Sequence, residues 1–209
     1  MSTLTLFTLL IAAVAAERLV ELAVAQRNAS WAFAHGGVES GRGHYPAMVA
    51  LHTGLLGACV AEAFWSGRPF DPRWGLAALA AVLASQALRW WCVATLGPRW
   101  NTRIIVVPGL ALVARGPYRW LRHPNYVAVA LEGAALPLVH SAWLTAVAFT
   151  VLNAVLLLRF RIPAEERALA LAPASPTAPS PSGSRGGGSS PTAPSPSGSR
   201  GGGSSPAGS

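Results

Sequence analysis

Two clusters of ionisable and aromatic side chains stand out in an otherwise apolar chain. The first is Gly116-Pro117-Tyr118-Arg119-Trp120-Leu121-Arg122-His123-Pro124-Asn125-Tyr126; the second, further on, is Arg161-Ile162-Pro163-Ala164-Glu165-Glu166. Pro124 suits the first turn of a helix, which places His123 at the helix mouth and Asn125 and Tyr126 on its opening turn. Free backbone N–H groups and a partial positive charge at such a mouth favour carboxylates and other anions. Arg161 and Glu165 are one helical turn apart and project from one face, with Glu166 adjacent. That spacing fits an ordinary surface ion pair, worth about 0.2–0.5 kcal/mol. It fits equally a clamp for a ligand carrying both charges. Charge that a bilayer makes costly is usually retained for function, so the two clusters together point to one site at a membrane face.

The elements around them are membrane spans. Of the 209 residues 52% are hydrophobic and only 11% are charged, a composition of integral membrane proteins. A span needs about 20 mostly apolar residues. Candidates cover residues 4–24, 46–64, 74–95, 125–139 and 141–160, giving an all-α polytopic bundle of about five transmembrane helices whose polar site lies on the cytoplasmic side. Glu17, Arg18 and Glu21 close the first span and can pair or reach the headgroups; Gln86 and Arg89 in the third should face protein or interface. Otherwise the span centres read as nearly free of polar side chains. Residues 96–124 form a polar, arginine-bearing stretch with a short β-branched run at 104–107, closed by Pro108-Gly109.

Net charge is +8, but the arginines flank apolar spans rather than form a basic face, which excludes nucleic acid and fits the positive-inside rule. On that rule the 96–124 stretch and the end bearing Arg159, Arg161 and Arg167 are cytoplasmic, and the N-terminus is outside. Trp31, Trp65, Trp74, Trp100, Trp120 and Trp143 read as an aromatic belt at the span ends. Cys59 and Cys92, inside apolar runs, read as small core residues. There is no phosphate-binding glycine loop, no nucleophile elbow and no paired-histidine metal motif; His35, His44, His52 and His140 read as structural or interfacial. Residues 1–171 read as one membrane domain. Beyond them, residues 176–190 recur letter for letter as 191–205, and the Pro/Ser/Gly-rich tail at 172–209 reads as disordered.

Leu112-Val113, Gly116-Pro117-Tyr118, Arg122-His123-Pro124-Asn125-Tyr126, then Arg161 and Glu165-Glu166, resemble the isoprenylcysteine carboxyl methyltransferase family. Over about the first 170 residues the chain is similar to its small bacterial members, which include O-methyltransferases found alongside type III polyketide synthases. The resemblance implies an integral membrane enzyme of the bacterial inner membrane using S-adenosyl-L-methionine. It carries cofactor contacts onto Leu112, Val113, Tyr118, His123, Pro124, Asn125, Tyr126 and Glu165, and a substrate-orienting role onto Arg161. Glu165 would take the ammonium, His123 and helix N–H groups the carboxylate, and Tyr118 or Tyr126 would lie near the sulfonium. The acceptor would be a carboxylate, held by Arg161, or an acidic hydroxyl, with His123 or Glu166 assisting its deprotonation. Its apolar part would enter from the bilayer, in contact with membrane lipids. Ala128 stands where the family often has Gly, and the Pro/Ser/Gly repeats replace the ordered tail of the eukaryotic members.

Two other functions stay open on the residues alone. A membrane reductase using NADPH would share the helical layout, with Arg115, Arg119 and Arg122 for the diphosphate. A transporter or scaffold would need no such site.

Overall fold

The computed structural model describes residues 1–171; the expectation for the tail at 172–209 lies outside the described residues. Six helices and two short strands follow in the order α1 (Thr3–Ala34), β1 (Val38–Ser40), α2 (Tyr45–Ser66), α3 (Pro72–Leu96), β2 (Ile104–Val106), α4 (Pro124–Leu138), α5 (Trp143–Leu156) and α6 (Ile162–Leu171).

Local chemistry sets the helix boundaries. The Ser2 hydroxyl caps α1 by accepting from the Thr5 N–H at 3.1 Å. Asp71 caps α3 by accepting from the Arg73 N–H at 2.9 Å, ahead of Pro72 in the first turn. Helix α2 ends at Gly67, whose φ of 58° is left-handed. The start of α5 has no cap of its own. Glu62 of α2 supplies one, accepting from the N–H groups of Leu144 at 3.1 Å and Thr145 at 2.7 Å. Its negative charge suits that helix end, and Arg68 locks it by donating to both Glu62 and the Ser141 carbonyl.

The core runs along the helices rather than at their ends: Phe7, Ile11 and Val14 of α1, Leu55 and Cys59 of α2, Val82 of α3, Leu136 of α4 and Phe149 of α5. Both cysteines are free and fully buried, as their apolar setting in the sequence implies. Outward faces are also apolar. Leu144, Val147, Val151, Val155 and Leu158 form an exposed stripe down α5 and beyond, at helical spacing. A soluble protein rarely shows so large an apolar face; a bilayer accepts it. Among the described residues, three helical stretches are long and apolar enough to cross a membrane: Arg42–Ser66, Pro72–Arg99 and Trp143–Leu171.

The expected five spans are thereby reduced. Helix α4 has 15 residues, about 22 Å at 1.5 Å per residue, short of a hydrocarbon core of about 30 Å. Helix α1, 32 residues long, carries Glu17, Arg18 and Glu21 near its middle rather than at its end. What read as one last apolar helix is α5, then a π-helical turn at Leu157–Arg161, then α6. The β-branched run becomes β2, which pairs antiparallel with β1 in the register Val38–Val106, Glu39–Ile105, Ser40–Ile104. A small sheet thus interrupts the all-α reading. Trp65, Trp74, Trp120 and Trp143 are exposed, as a belt requires, but Trp100 is buried in the protein.

The largest correction lies between α1, α3 and α4. Arg18 donates to Glu21 at 2.6 Å and to Glu132 at 3.1 Å; Arg89 pairs with Glu132 and lies 3.4 Å from Glu21. Gln86 and Glu17 extend the network, and Trp90 donates to Glu17 at 2.5 Å. Glu21, Arg89 and Glu132 are all buried. The helix centres are therefore not free of polar groups: these charges pair with one another across three helices, inside the protein.

Candidate active site

Three elements bring the two clusters together. Helix α4 begins at Pro124, so His123 stands at its mouth, as the proline implied. The short helical turn Gly116–Arg119 ahead of it presents Tyr118. Gly116 is needed there: its φ is 57°, and a Cβ would run into the side chains of Thr95 and Trp91. The π-turn and α6 supply the rest. A π-turn re-aims side chains within one helix and recurs at functional sites. Here it ends at Arg161, whose partner differs from that of Glu165.

Glu165 is the hub. Its Oε2 accepts from the Tyr126 hydroxyl at 2.5 Å, and its Oε1 lies 3.8 Å from His123 Nδ1. The other imidazole nitrogen is 3.5 Å from Glu166 Oε1. His123 and Tyr126 stack with ring centroids 5.6 Å apart, and the Arg161 guanidinium sits 5.9 Å from the centre of the Tyr126 ring. Glu165 is the main cause of a raised His123 pKa; burial opposes it and Glu166 adds to the rise. Burial is the main cause of a raised Tyr118 pKa, with the Cys92 sulfur beside it, so that phenol stays protonated.

The ion pair that spacing suggested between Arg161 and Glu165 does not form. Arg161 is buried and donates from Nη2 to the Thr102 carbonyl at 2.8 Å instead. Three buried polar atoms at the cluster lack a hydrogen-bond partner: His123 Nδ1, Asn125 Oδ1 and Arg161 Nε.

His123, Tyr126, Arg161, Glu165 and Glu166 thus form one cluster, with Pro124 buried beneath it. Leu112 and Val113 are on the linker ahead of Tyr118, which Arg99 holds by donating to the Ala111 carbonyl at 2.7 Å. They are outside the hydrogen-bonded cluster, and Leu112 is exposed. The three arginines considered for a diphosphate diverge. Arg115 reaches the Thr95 carbonyl, Arg119 sits over the Trp120 ring, and Arg122 approaches Glu166 at 4.0 Å. Thr102 was missed by sequence reasoning because its contribution is a main-chain carbonyl. Glu132 did leave a signal, as a lone carboxylate inside an apolar helix.

The sequence model of the isoprenylcysteine carboxyl methyltransferase family matches residues 77–171, from within α3 to the end of α6. YpbQ, an uncharacterized protein of Bacillus subtilis (strain 168), is 40% identical over 164 residues, which cover 78% of this chain and 96% of the relative. No solved structure matches the chain.

Proposed function

The chain belongs to the isoprenylcysteine carboxyl methyltransferase family, a family of membrane methyltransferases, and from that premise we propose an S-adenosylmethionine-dependent O-methyltransferase acting at the cytoplasmic face of the membrane. The observation that carries the proposal is the convergence of His123 and Tyr126 on Glu165, with Arg161 against the Tyr126 ring.

The residues fit the cofactor's charges. Glu165 offers a carboxylate to an ammonium, and Asn125 Oδ1 is a buried acceptor with no partner of its own. The first-turn N–H groups of α4, and His123 in its protonated form, suit a carboxylate. Tyr126 already has His123 stacked on it and Arg161 against its ring, which leaves Tyr118 as the ring proposed to face a sulfonium. When bound, the cofactor supplies a methyl group whose bond to sulfur breaks with its electrons returning to sulfur as the acceptor oxygen takes the carbon.

Positioning is then the main task of the protein: holding that oxygen close, in line and dry. Between the two acceptor classes the geometry favours a carboxylate. Held between Glu165 and Glu166, His123 has a raised pKa, so its neutral form, the one that could take a phenol's proton, is less populated than in a free imidazole. A carboxylate is already ionised, forms a neutral ester and releases no proton. Arg161 is the cation placed to orient it.

The test is calorimetric titration of S-adenosylmethionine and S-adenosylhomocysteine into the detergent-purified protein, with Glu165→Gln and His123→Ala beside wild type. Micromolar binding, lost in both variants, is the expected result. A folded wild type that binds neither nucleotide would sink the reading, and NADPH would then be titrated for the reductase alternative.

A further inference from the structure

The helical turn Gly116–Arg119 and the residues just after it have two faces. Inward, Tyr118 meets the buried Cys92 of α3. Outward, Arg119, Trp120, Leu121 and Arg122 follow one another and are all exposed. Trp120 is 66% exposed, yet its ring meets that of Trp91 on α3 edge to face, with centroids 5.9 Å apart. The Arg119 guanidinium lies 5.9 Å from the centre of the Trp120 ring. Arg115, also exposed, reaches the Thr95 carbonyl of α3.

Helix α3 sets the depth of this patch. Its 25 residues span about 37 Å, against about 30 Å for a hydrocarbon core, so its ends stand in the headgroup zones. Thr95 is in its last turn, and Trp91 is one turn below. An indole suits that level, with an apolar body toward the lipid chains and an N–H toward water. Arginines beside it keep their stems in the apolar region and their guanidinium groups among the phosphates.

Carboxylates do not balance these arginines. The chain has eight acidic side chains. Glu17, Glu21 and Glu132 belong to the network inside the bundle, and Glu39 holds Arg42 and Arg103. Glu62 and Asp71 cap helix starts, which leaves Glu165 and Glu166 at the cluster. Only Glu166 comes near, 4.0 Å from Arg122. Among the described residues no carboxylate lies within ion-pair distance of Arg115 or Arg119, and residues 172–209 contain no Asp or Glu to supply one.

We propose that Arg119, Trp120 and Arg122 form a binding site for the headgroup of an anionic phospholipid, whose chains lie along Trp120 and Trp91. The proposal needs only a span in a bilayer and stands apart from the methyltransferase reading. A negative headgroup layer attracts each basic side chain at its surface by about fivefold in occupancy, so an anionic lipid should exceed a zwitterionic one here.

The test uses full-length protein in phosphatidylcholine nanodiscs containing a trace of photoactivatable lipid with a diazirine on one acyl chain. Phosphatidylglycerol and phosphatidylcholine probes are compared at equal mole fraction, and labelled residues are mapped by mass spectrometry. We expect residues 116–122 to be labelled at least about fivefold more by phosphatidylglycerol. Arg119→Gln combined with Arg122→Gln should remove that excess and leave labelling of the outward face of α5 unchanged, which reports an intact fold. Equal labelling by the two lipids on wild type overturns the proposal without any variant. So does an excess that survives in the double variant, or an absence of lipid labels from residues 116–122. Loss of the excess on adding millimolar glycerol phosphate also overturns it, by making the patch a site for free phosphate rather than lipid.

Discussion

The Tyr126 hydroxyl donates to Glu165 at 2.5 Å, joining the first turn of α4 to the first turn of α6 across 39 positions of sequence. This bond holds the carboxylate at the helix mouth where His123 stands. It also couples site geometry to helix packing, so stability and binding should respond differently to its two ends.

Tyr126→Phe removes the donor and leaves the carboxylate with His123. A hydrogen bond to a charged group contributes about 1.5–3 kcal/mol. The expected loss of stability is at the lower end of that range, read by thermal unfolding in detergent, with nucleotide binding weakened but retained. Glu165→Gln, in contrast, removes the charge itself and should cost at least about tenfold in nucleotide affinity.

The His123 pKa gives a pH dependence of definite sign. Its folded value is raised above the ordinary 6.5, chiefly by Glu165. The charged pair therefore stabilises the fold fully below pH 6.5, and that contribution disappears as pH rises through the folded pKa. Wild type should exceed His123→Gln in Tm at pH 6 by more than at alkaline pH. A constant difference across that range would contradict the charge contact.

Glu132→Gln is expected to be the most damaging single change in the helix bundle. It leaves Arg89 and Arg18 short of a carboxylate inside the protein, and breaking a buried pair typically costs about 3–5 kcal/mol. Arg89→Met combined with Glu132→Leu should recover much of this, because both charges go together. Unfolding midpoints of the single and double variants check the prediction.

At Gly133 a Cβ would collide with the Phe149 ring, which is itself buried in the core between α4 and α5. Overpacking of this kind costs about 1–3 kcal/mol. Gly133→Ala should lower Tm, and adding Phe149→Leu should restore part of the loss. A purely conformational effect of the glycine would show no such rescue.

Much of the molecule was legible from one chain. Pro124 announced the start of α4 and hence the position of His123, because proline's fixed φ and missing N–H suit a first helical turn. Apolar length located α2, α3 and α5, and Cys59 and Cys92 read correctly as core. The spacing of Arg161, Glu165 and Glu166 named the other half of the site.

Tertiary structure decided the partners. Periodicity shows neither a π-turn nor a main-chain partner, so it could not send Arg161 to the Thr102 carbonyl rather than to Glu165. Nor could it show that Glu21, Arg89 and Glu132, charges on three separate helices, neutralise one another inside the bundle. Local sequence sets which side chains share a face, because helix geometry is local. Which face meets which is a property of packing between distant segments, and there the sequence alone is silent.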